Sequence, residues 1–322
     1  MVGGSAAFRD ALDKIDRFAG CIAPVLVEGE TGTGKELAAR ALHARSDRSS
    51  GPFVALNVAA LPEALVVNEL FGHEGGAYTG AAGRQGGLVA EAEGGTLFLD
   101  EIDGLPLGAQ AVLLRFLQDQ EYRPLGGGRT RRADVRVVAA SNAGMAGLIG
   151  ARQFREDLFW RLAVLQLTLP PLRERPGDLE PLVAHFLGLM RRRYGGARRG
   201  IAPGAWEAMR RHPWPGNVRE LENRVHRGYV LAAGAAISAE AMDLTRTPDA
   251  APDAGDSAAC APFAAAKADA VAAFERAYIA RALAETGGNV SAASRLAGKE
   301  RRAFTRLIAK HGIDWRDFVT GR

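Results

Sequence analysis

The sequence is poor in cysteine and has no motif in which cysteine or histidine commonly holds a metal. Cys21 and Cys260 are the two cysteines among 322 residues, and no Cys-x-x-Cys pair occurs. A disulfide framework and a cysteine metal site are therefore unsupported. The six histidines are scattered, without a His-Glu-x-x-His motif. No apolar run approaches the roughly 20 residues that span a bilayer, and no signal peptide opens the chain. We expect a cytoplasmic protein without membrane contact.

Length and composition are those of a soluble globular protein with two or three domains. Apolar residues make up 47% of the chain and charged residues 24%. The formal net charge is +4. Residues 267–322 contain eleven Lys or Arg and six Asp or Glu, which gives +5 and leaves −1 for the remainder. The last segment therefore favours a polyanionic partner.

A glycine-rich segment between an apolar run and a helical run predicts a phosphate-binding loop. The segment reads Gly29-Glu30-Thr31-Gly32-Thr33-Gly34-Lys35-Glu36. Its glycines let backbone N–H groups converge on an anion, and Lys35 adds a point charge for the outer phosphates. Glu36 occupies the place of the usual Ser or Thr, whose hydroxyl helps to hold Mg²⁺. Either the metal is held differently, or the loop belongs to a subgroup without that hydroxyl.

A second apolar run, residues 96–99, ends in two carboxylates, Asp100 and Glu101. In open α/β sheets ligands bind beyond the carboxyl ends of the strands. Asp100 is suited to Mg²⁺, directly or through water, and Glu101 to orienting the attacking water. A strand that ends in Asp-Glu is weak evidence for such a site by itself, because the start of a solvated loop gives the same pattern. Following a phosphate loop at this distance, it predicts a nucleotide hydrolysis site.

Helical and strand patterns alternate through the first half of the chain. Residues 1–23 read as a helix, and strands are predicted at 25–27, 53–57, 96–99, 135–140 and 165–169. The alternation predicts an α/β fold with a mostly parallel sheet covered by helices on both faces. An all-helical pattern follows, in which Asp178 and Asn217 are placed to cap helices. The predicted domains are 1–170 (α/β), 171–245 (small helical domain), 246–265 (linker) and 266–322 (helical).

A glycine-flanked aromatic residue forms the third unusual feature of the first half. Tyr78 lies within Gly76-Ala77-Tyr78-Thr79-Gly80-Ala81. An aromatic ring on such a tip suits contact with a partner. A turn whose tyrosine folds back onto its own domain explains the pattern equally well from these residues alone.

The last segment has the spacing of a helix-turn-helix. A helix over 270–285 is followed by a glycine break, a short helix at 290–297 that Asn289 can cap, and a final helix over 299–310. In the final helix the apolar residues share one side. The other side presents a set of polar residues that could enter a DNA major groove: Arg301, Arg302, Thr305 and Arg306. A basic solvated helix is the alternative.

Taken together, these motifs resemble the bacterial enhancer-binding proteins, the AAA+ transcriptional activators of sigma-54 RNA polymerase. Residues 29–36 are similar to the family's Walker A, which carries Glu after the lysine, and residues 95–101 to its Walker B. Residues 76–81 resemble its sigma-54-contacting loop, with Tyr78 where Phe is usual. Residues 286–313 resemble a Fis-type DNA-binding domain. The resemblance implies an AAA+ P-loop parallel sheet, then a helical lid and an all-α helix-turn-helix domain.

The resemblance also implies roles for individual residues. Asn142 would be the first sensor of the γ-phosphate and Arg219, in the lid, the second. Arg155 and Arg161 would be arginine fingers reaching a neighbouring subunit, so a homo-oligomeric ring, usually a hexamer, is implied. Asn57 would hold the catalytic Glu101 until ATP is sensed. ATP and Mg²⁺ are the implied cofactors.

The resemblance implies sigma-54 RNA polymerase holoenzyme and upstream double-stranded DNA as partners. Because about two dozen residues precede the phosphate-loop strand and its turn, control by a separate protein or by cellular abundance is expected, unless the chain is a fragment. Regulation in trans is the favoured alternative. The main function expected is ATP-driven remodelling of the closed promoter complex. One alternative is a DNA-binding regulator with a vestigial ATPase, independent of sigma-54. Another is a generic AAA+ remodeller with a DNA-binding tail.

Overall fold

The computed structural model describes residues 1–75, 83, 85–142, 144–195, 199–232, 234–244, 275–276 and 278–318. They belong to two compact units, Met1–Asp249 and Ala250–Arg322. The glycine-flanked segment of Gly76 to Ala81 and the predicted linker 246–265 lie outside the described residues. None of the helices in the described part is long and apolar enough to cross a bilayer.

The first unit is built on a five-stranded parallel sheet. Its strands are β1 (Val25–Glu28), β2 (Phe53–Asn57), β5 (Thr96–Asp100), β8 (Arg136–Ser141) and β9 (Leu165–Thr168). They lie in the order β2-β5-β8-β1-β9, and all pairs are parallel. Short two-residue strands complete the unit: β3 (Gly72–His73), β4 (Gln85–Gly86), β6 (Glu121–Tyr122), β7 (Arg131–Arg132), β10 (Gly200–Ile201) and β11 (Ala236–Ile237). The predicted α/β class is confirmed.

Seven helices of the described part accompany the sheet. They are α1 (Ala6–Ala19), α2 (Lys35–Ala44), α3 (Glu63–Phe71), α4 (Leu88–Glu91), α5 (Leu107–Asp119), α6 (Met145–Gly150) and α7 (Glu156–Leu162). The helix predicted over 1–23 is thus shorter at both ends. Successive strand residues point to opposite faces of a sheet. Accordingly Phe98 packs in the core with α1 and α2, whereas Leu97 and Leu99 pack in the core with α3 and α5.

Residues 171–244, which we call the lid, contain the helices α8 (Leu179–Tyr194), α9 (Pro203–Arg211) and α10 (Asn217–Leu231). Their apolar stripes meet in one core, in which Val183, Met209, Leu221 and Val225 are fully buried. Each such side chain contributes about 1.5–3 kcal/mol by leaving water. The helical lid predicted after the sheet is confirmed.

The two residues expected to cap lid helices are used differently. Asp178 precedes α8 but gives it no side-chain cap. Instead, its carboxylate accepts hydrogen bonds from the backbone N–H groups of Gly4 (2.6 Å) and Ser5 (2.8 Å) and pairs with Arg175 (2.8 Å). Asn217 is the first residue of α10 rather than its cap, with φ of 51°. Both side chains serve contacts distant in sequence, which a local capping rule does not consider.

The second unit contains a helical stretch at 275–285, of which residue 277 is not described, followed by α11 (Val290–Leu296) and α12 (Arg301–Lys310). Leu283, Ala293, Phe304 and Ile308 form its core. The predicted cap is confirmed, because Asn289 Oδ1 accepts from the N–H groups of Ser291 and Ala292 at 3.1 Å.

Candidate nucleotide cleft and DNA-binding unit

The phosphate loop follows β1, and the two neighbouring strands on one side bring the other predicted residues to it. Asp100 ends β5, and Asn142 follows β8, which lies between β5 and β1. One cleft beyond the carboxyl ends of these strands contains residues from the loop, the strand ends and the lid. Its lining is Thr31, Gly32, Gly34, Lys35, Glu36, Leu37, Asp100, Glu101, Asn142, Val218, Arg219 and Glu222.

Two glycines let the loop adopt its turn and meet the lid. Gly32 and Gly34 have φ of 81° and 99°, a region that costs other residues steric strain. A Cβ on Gly32 would lie 2.3 Å from the carbonyl oxygen of Gly216 in the lid. The Gly32 carbonyl in turn accepts hydrogen bonds from the N–H groups of Val218 (3.0 Å) and Arg219 (3.3 Å). The loop is therefore in backbone contact with the start of α10.

Lys35 is buried at the base of the loop, with 7% of its surface exposed. Its Nζ donates to the carbonyl oxygens of Gly29 (2.7 Å) and Glu30 (3.1 Å) and to Asn142 Oδ1. Burial lowers the pKa of Lys35, and the nearby carboxylates of Asp100 and Glu101 act in the opposite direction. Carbonyl and amide oxygens thus hold an ammonium group where an anion would be bound.

The end of β5 has the features of a strained acidic site. Glu101 adopts φ of 54°, which is uncommon for a residue with a side chain and is typical of functional sites. Burial raises the pKa of Asp100, whose Oδ1 accepts the N–H of Glu101 at 3.0 Å. Asn142 Nδ2 donates to Glu101 Oε1 at 3.2 Å. Because Asn142 also accepts from Lys35, its one amide bridges the ammonium group and the predicted catalytic carboxylate.

The Asn57 side chain forms no hydrogen bond with Glu101 in the described part of the chain. Its side chain accepts the N–H of Ala60 at 3.2 Å, which caps the short 3-10 helix after β2. In this structure Asn142 takes the place that the resemblance gave to Asn57. The role of Asn57 in an ATP-bound form stays a prediction.

The cleft suits Mg²⁺ only in company with phosphate. No cluster of three or more potential metal ligands occurs among the described residues. Mg²⁺ is commonly held by one or two carboxylates together with phosphate oxygens and water, and Asp100 can supply such a carboxylate. Glu36 pairs with Arg40 on α2 (2.8 Å), so its side chain is engaged along the helix.

A contact that the sequence did not reveal ties the loop to the lid. Arg173 forms two hydrogen bonds with the Glu30 carboxylate, at 2.6 and 2.8 Å. Buried Asn217 donates from Nδ2 to Glu30 Oε2 and to the Thr31 carbonyl, both at 3.1 Å. The hydrogen bond from Arg173, with that from Asn217, lowers the pKa of Glu30 to about 2. We call Glu30, Arg173 and Asn217 the lid clasp.

The final helix of the second unit presents the predicted polar face. Arg301, Arg302, Thr305 and Arg306 are exposed on α12, while Phe304 and Ile308 on the same helix are buried. The exposed face carries three positive charges and no acidic residue. Such a face can approach a phosphate backbone or the edges of bases.

Comparisons with known proteins agree with this geometry. The family model described as Sigma-54 interaction domain matches residues 1–168, more than half of the chain. The chain belongs to the family of sigma-54-dependent transcriptional activators. The AAA+ ATPase lid domain matches residues 173–257, and the Fis family of bacterial regulatory proteins matches residues 270–311. The AAA+ fold and the helix-turn-helix predicted from the sequence are confirmed, and nothing in these matches favours the sigma-54-independent alternative.

Several family members cover most of the chain. The transcriptional regulatory protein ZraR of Klebsiella oxytoca is 44% identical over 96% of this chain and 68% of its own length. NtrC of Rhizobium meliloti is 50% identical over 70% of this chain and 47% of its own. A crystal structure of NtrX from Brucella abortus in complex with ATP has a TM-score of 0.71 at 34% identity, covering 97% of this chain and 69% of that chain.

The two predicted arginine fingers do not line the cleft of their own chain. Arg155 precedes α7, and its exposed guanidinium forms hydrogen bonds of 2.7 and 3.0 Å with Asp157, which raises the pKa of Arg155. Arg161 donates to the carbonyl oxygens of Leu117 (3.1 Å) and Gln118 (3.3 Å) at the end of α5. Their action on the cleft of a neighbouring copy stays a prediction.

Sequence reasoning also missed Asp103 and Glu222. Asp103 Oδ1 accepts the backbone N–H of Asn142 at 3.2 Å and so holds the backbone that carries the bridging side-chain amide. Glu222 lines the cleft one helical turn beyond Arg219. Glu222 follows Arg219 by three residues on α10, and residues with this spacing lie on the same face of a helix. The sequence could therefore have predicted that Glu222 faces the cleft with Arg219. Arg173 and Asp103 carry no comparable signal, because their partners are far away in sequence.

Proposed function

We propose that the chain hydrolyses Mg·ATP in a ring of identical subunits, usually six, and uses the energy to remodel sigma-54 RNA polymerase at a promoter. The observation that carries this proposal is the cleft. It joins a phosphate loop, a buried lysine, two strand-end carboxylates, the Asn142 amide and a lid arginine in a chain of the sigma-54 activator family. Each group suits phosphoryl transfer, in which positioning and charge stabilisation supply most of the catalysis.

The roles in the cleft follow from the contacts. The loop N–H groups and Lys35 would hold the phosphates, and Asp100 would share Mg²⁺ with them. Once Lys35 turns to a phosphate, Asn142 loses that hydrogen bond and can turn to the γ-phosphate itself. Glu101 is then released to orient and polarise the attacking water. Bound Mg²⁺ supplies charge neutralisation on the phosphate oxygens.

The remaining partners are assigned by sequence. Tyr78, with the flanking residues 76–81, would contact sigma-54. Arg155 and Arg161 of a neighbouring copy would complete the charge stabilisation, and Arg219 would act from the lid of the same chain. The exposed face of α12 would bind upstream duplex DNA.

A contact-loop variant tests the proposal. We expect Tyr78→Ala to abolish open-complex formation by sigma-54 polymerase at a supercoiled sigma-54 promoter while ATP hydrolysis continues. Tyr78→Phe is the matched control, because it keeps the ring and restores the residue that is usual in the family. Open complexes formed as well by Tyr78→Ala as by the unchanged protein would overturn the proposal.

A further inference from the structure

The arginines of the lid divide into two groups by their partners. Residues 171–244 contain twelve arginines, no lysine and eight acidic residues, a net charge of +4. Seven of the arginines that the structure describes there are engaged with carboxylates or backbone carbonyls: Arg173, Arg175, Arg199, Arg210, Arg211, Arg224 and Arg227. Most of the described arginines of this region therefore have a partner, either in the lid itself or, for Arg173, in the phosphate loop.

Four described arginines of the lid have no hydrogen bond or ion pair to the described part of the chain: Arg191, Arg192, Arg193 and Arg219. Arg219 lines the nucleotide cleft, so its anionic partner is accounted for by the proposed function. The other three are consecutive in the last turn of α8, do not line that cleft, and are all exposed. No carboxylate or carbonyl oxygen of the described residues pairs with them.

The negative end of the helix offsets only a small part of this positive charge. The carboxyl end of a helix carries about half of an elementary negative charge, against three guanidinium groups. Next to them is a polar aromatic group. Tyr194, 49% exposed, accepts or donates a 2.7 Å hydrogen bond with His226 Nε2, and its ring lies 6.3 Å from that of Tyr229. The Arg193 guanidinium lies 5.6 Å from the Tyr194 ring.

We propose that these residues, which we call the arginine patch (Arg191, Arg192, Arg193 and Tyr194), bind the phosphate backbone of duplex DNA. Arginine suits phosphate because its planar fork gives two parallel hydrogen bonds, and a tyrosine hydroxyl commonly contacts phosphates as well. A membrane surface is disfavoured, because Tyr194 is the one large apolar side chain in the patch and amphipathic membrane binding requires an apolar face.

The same chain supplies a reason for DNA to be near. The proposed DNA-binding face on α12 belongs to the same polypeptide, so bound DNA is present at a high effective concentration around the lid. This part of the argument rests on the proposed DNA-binding function. The patch would add affinity without sequence preference and could hold DNA that flanks the site read by α12.

The salt dependence of DNA binding by the full chain tests the patch. Affinity for a random-sequence duplex is measured without ATP by fluorescence anisotropy at several salt concentrations. Each phosphate contact contributes about 0.9 to the slope of log K against log salt. We expect Arg191→Ala/Arg192→Ala/Arg193→Ala to reduce the slope by about 1 to 2.7.

A matched control lies on the neighbouring helix of the lid. Arg210 and Arg211 are also exposed but pair with Glu180 and Glu207. The variant Arg210→Ala/Arg211→Ala removes two positive charges, against three in the patch variant, and should leave the slope unchanged. An unchanged slope in the patch variant, or an equal fall in the control, would overturn the proposal. A loss of binding to anionic vesicles with no change in the DNA slope would overturn it too.

A second background separates the patch from the α12 face. In a chain with Arg301→Ala, Arg302→Ala and Arg306→Ala, we expect residual salt-dependent DNA binding that falls further when the patch is removed. Residual DNA binding that does not change when the patch is removed would contradict the patch proposal and leave the α12 assignment intact. Full affinity in the triple α12 variant, lost only with the patch, would refute the α12 assignment and support the patch.

Discussion

The nucleotide cleft and the helix-turn-helix unit are built from contacts of very different sequence range. In the cleft, Asn142 and Glu101 are 41 residues apart, Lys35 and Asn142 are 107 apart, and Glu30 and Asn217 are 187 apart. In the second unit, Asn289 caps α11 through residues two and three positions away. A substitution in the cleft should therefore affect elements distant in sequence, whereas a substitution in the helix-turn-helix should affect only that unit.

The buried ion pair that joins the lid to the amino-terminal segment should show the largest effect. Asp178 and Arg175 side chains are 1% and 2% exposed. Asp178→Asn leaves Arg175 charged and buried, so we expect the first unit to lose about 3–5 kcal/mol of unfolding free energy. Hydrogen exchange of β1 and β8 amides measures this loss, and α12 amides should not respond.

The pH dependence of the same contact has a definite sign. Burial raises the pKa of Asp178, but hydrogen bonds from Gly4, Arg175 and Ser5 together outweigh it and lower the pKa. The ionised group therefore stabilises the fold fully above the ordinary pKa of an aspartate, and this stabilisation is lost as the pH falls from there through the lowered pKa of the folded state. Asp16→Asn, at an exposed pair with Arg45, is the control. Equal losses of unfolding free energy in Asp178→Asn and Asp16→Asn would contradict the role assigned to the buried pair.

Lys35→Ala should come next. A hydrogen bond to a charged group contributes about 1.5–3 kcal/mol, so nucleotide affinity should fall roughly tenfold to a hundredfold. Titration with a fluorescent ADP analogue measures the change. Lys14→Ala, which removes an exposed lysine paired with Asp10, should bind nucleotide normally. DNA binding by the second unit should be unaltered in both variants.

Breaking the lid clasp should weaken nucleotide binding less than Lys35→Ala does, but it should also affect residues distant in sequence. Exposed ion pairs contribute about 0.2–1 kcal/mol, so Arg173→Ala should weaken nucleotide binding by no more than about fivefold. It should also speed hydrogen exchange at the N–H groups of Val218 and Arg219, which bond to Gly32. Arg210→Ala breaks an exposed lid pair that does not touch the loop. If both variants changed exchange at these two amides alike, the clasp would have no special role.

Loss of the Asn289 cap should have the smallest and most confined effect. Asn289→Ala should cost the second unit about 1 kcal/mol and lower DNA affinity only in proportion to unfolding. Asn289→Ser keeps a capping oxygen and should behave almost like the unchanged chain. Nucleotide affinity should be unchanged in Asn289→Ala. A change in it would contradict the claim that the second unit depends on local contacts.

The difference in range explains what the sequence could predict. The phosphate loop, the strand-end carboxylates and the Asn289 cap are patterns of adjacent residues, and local backbone chemistry determines them. Asp178 and Asn217 also look like caps locally, but tertiary contacts take their side chains elsewhere. The bridge through Asn142 and the bond from Arg173 to Glu30 depend on which strands and helices become neighbours. A pattern within one segment contains no information about that.

The measurement that bears most directly on the account is ATP hydrolysis by the purified chain as its concentration is raised in the presence of Mg²⁺. The cleft and the separate location of Arg155 and Arg161 predict turnover per subunit that rises with concentration as copies assemble. Glu101→Gln should remove this turnover while nucleotide still binds. Absence of hydrolysis at every concentration, or hydrolysis that is unchanged in Glu101→Gln, would contradict the account.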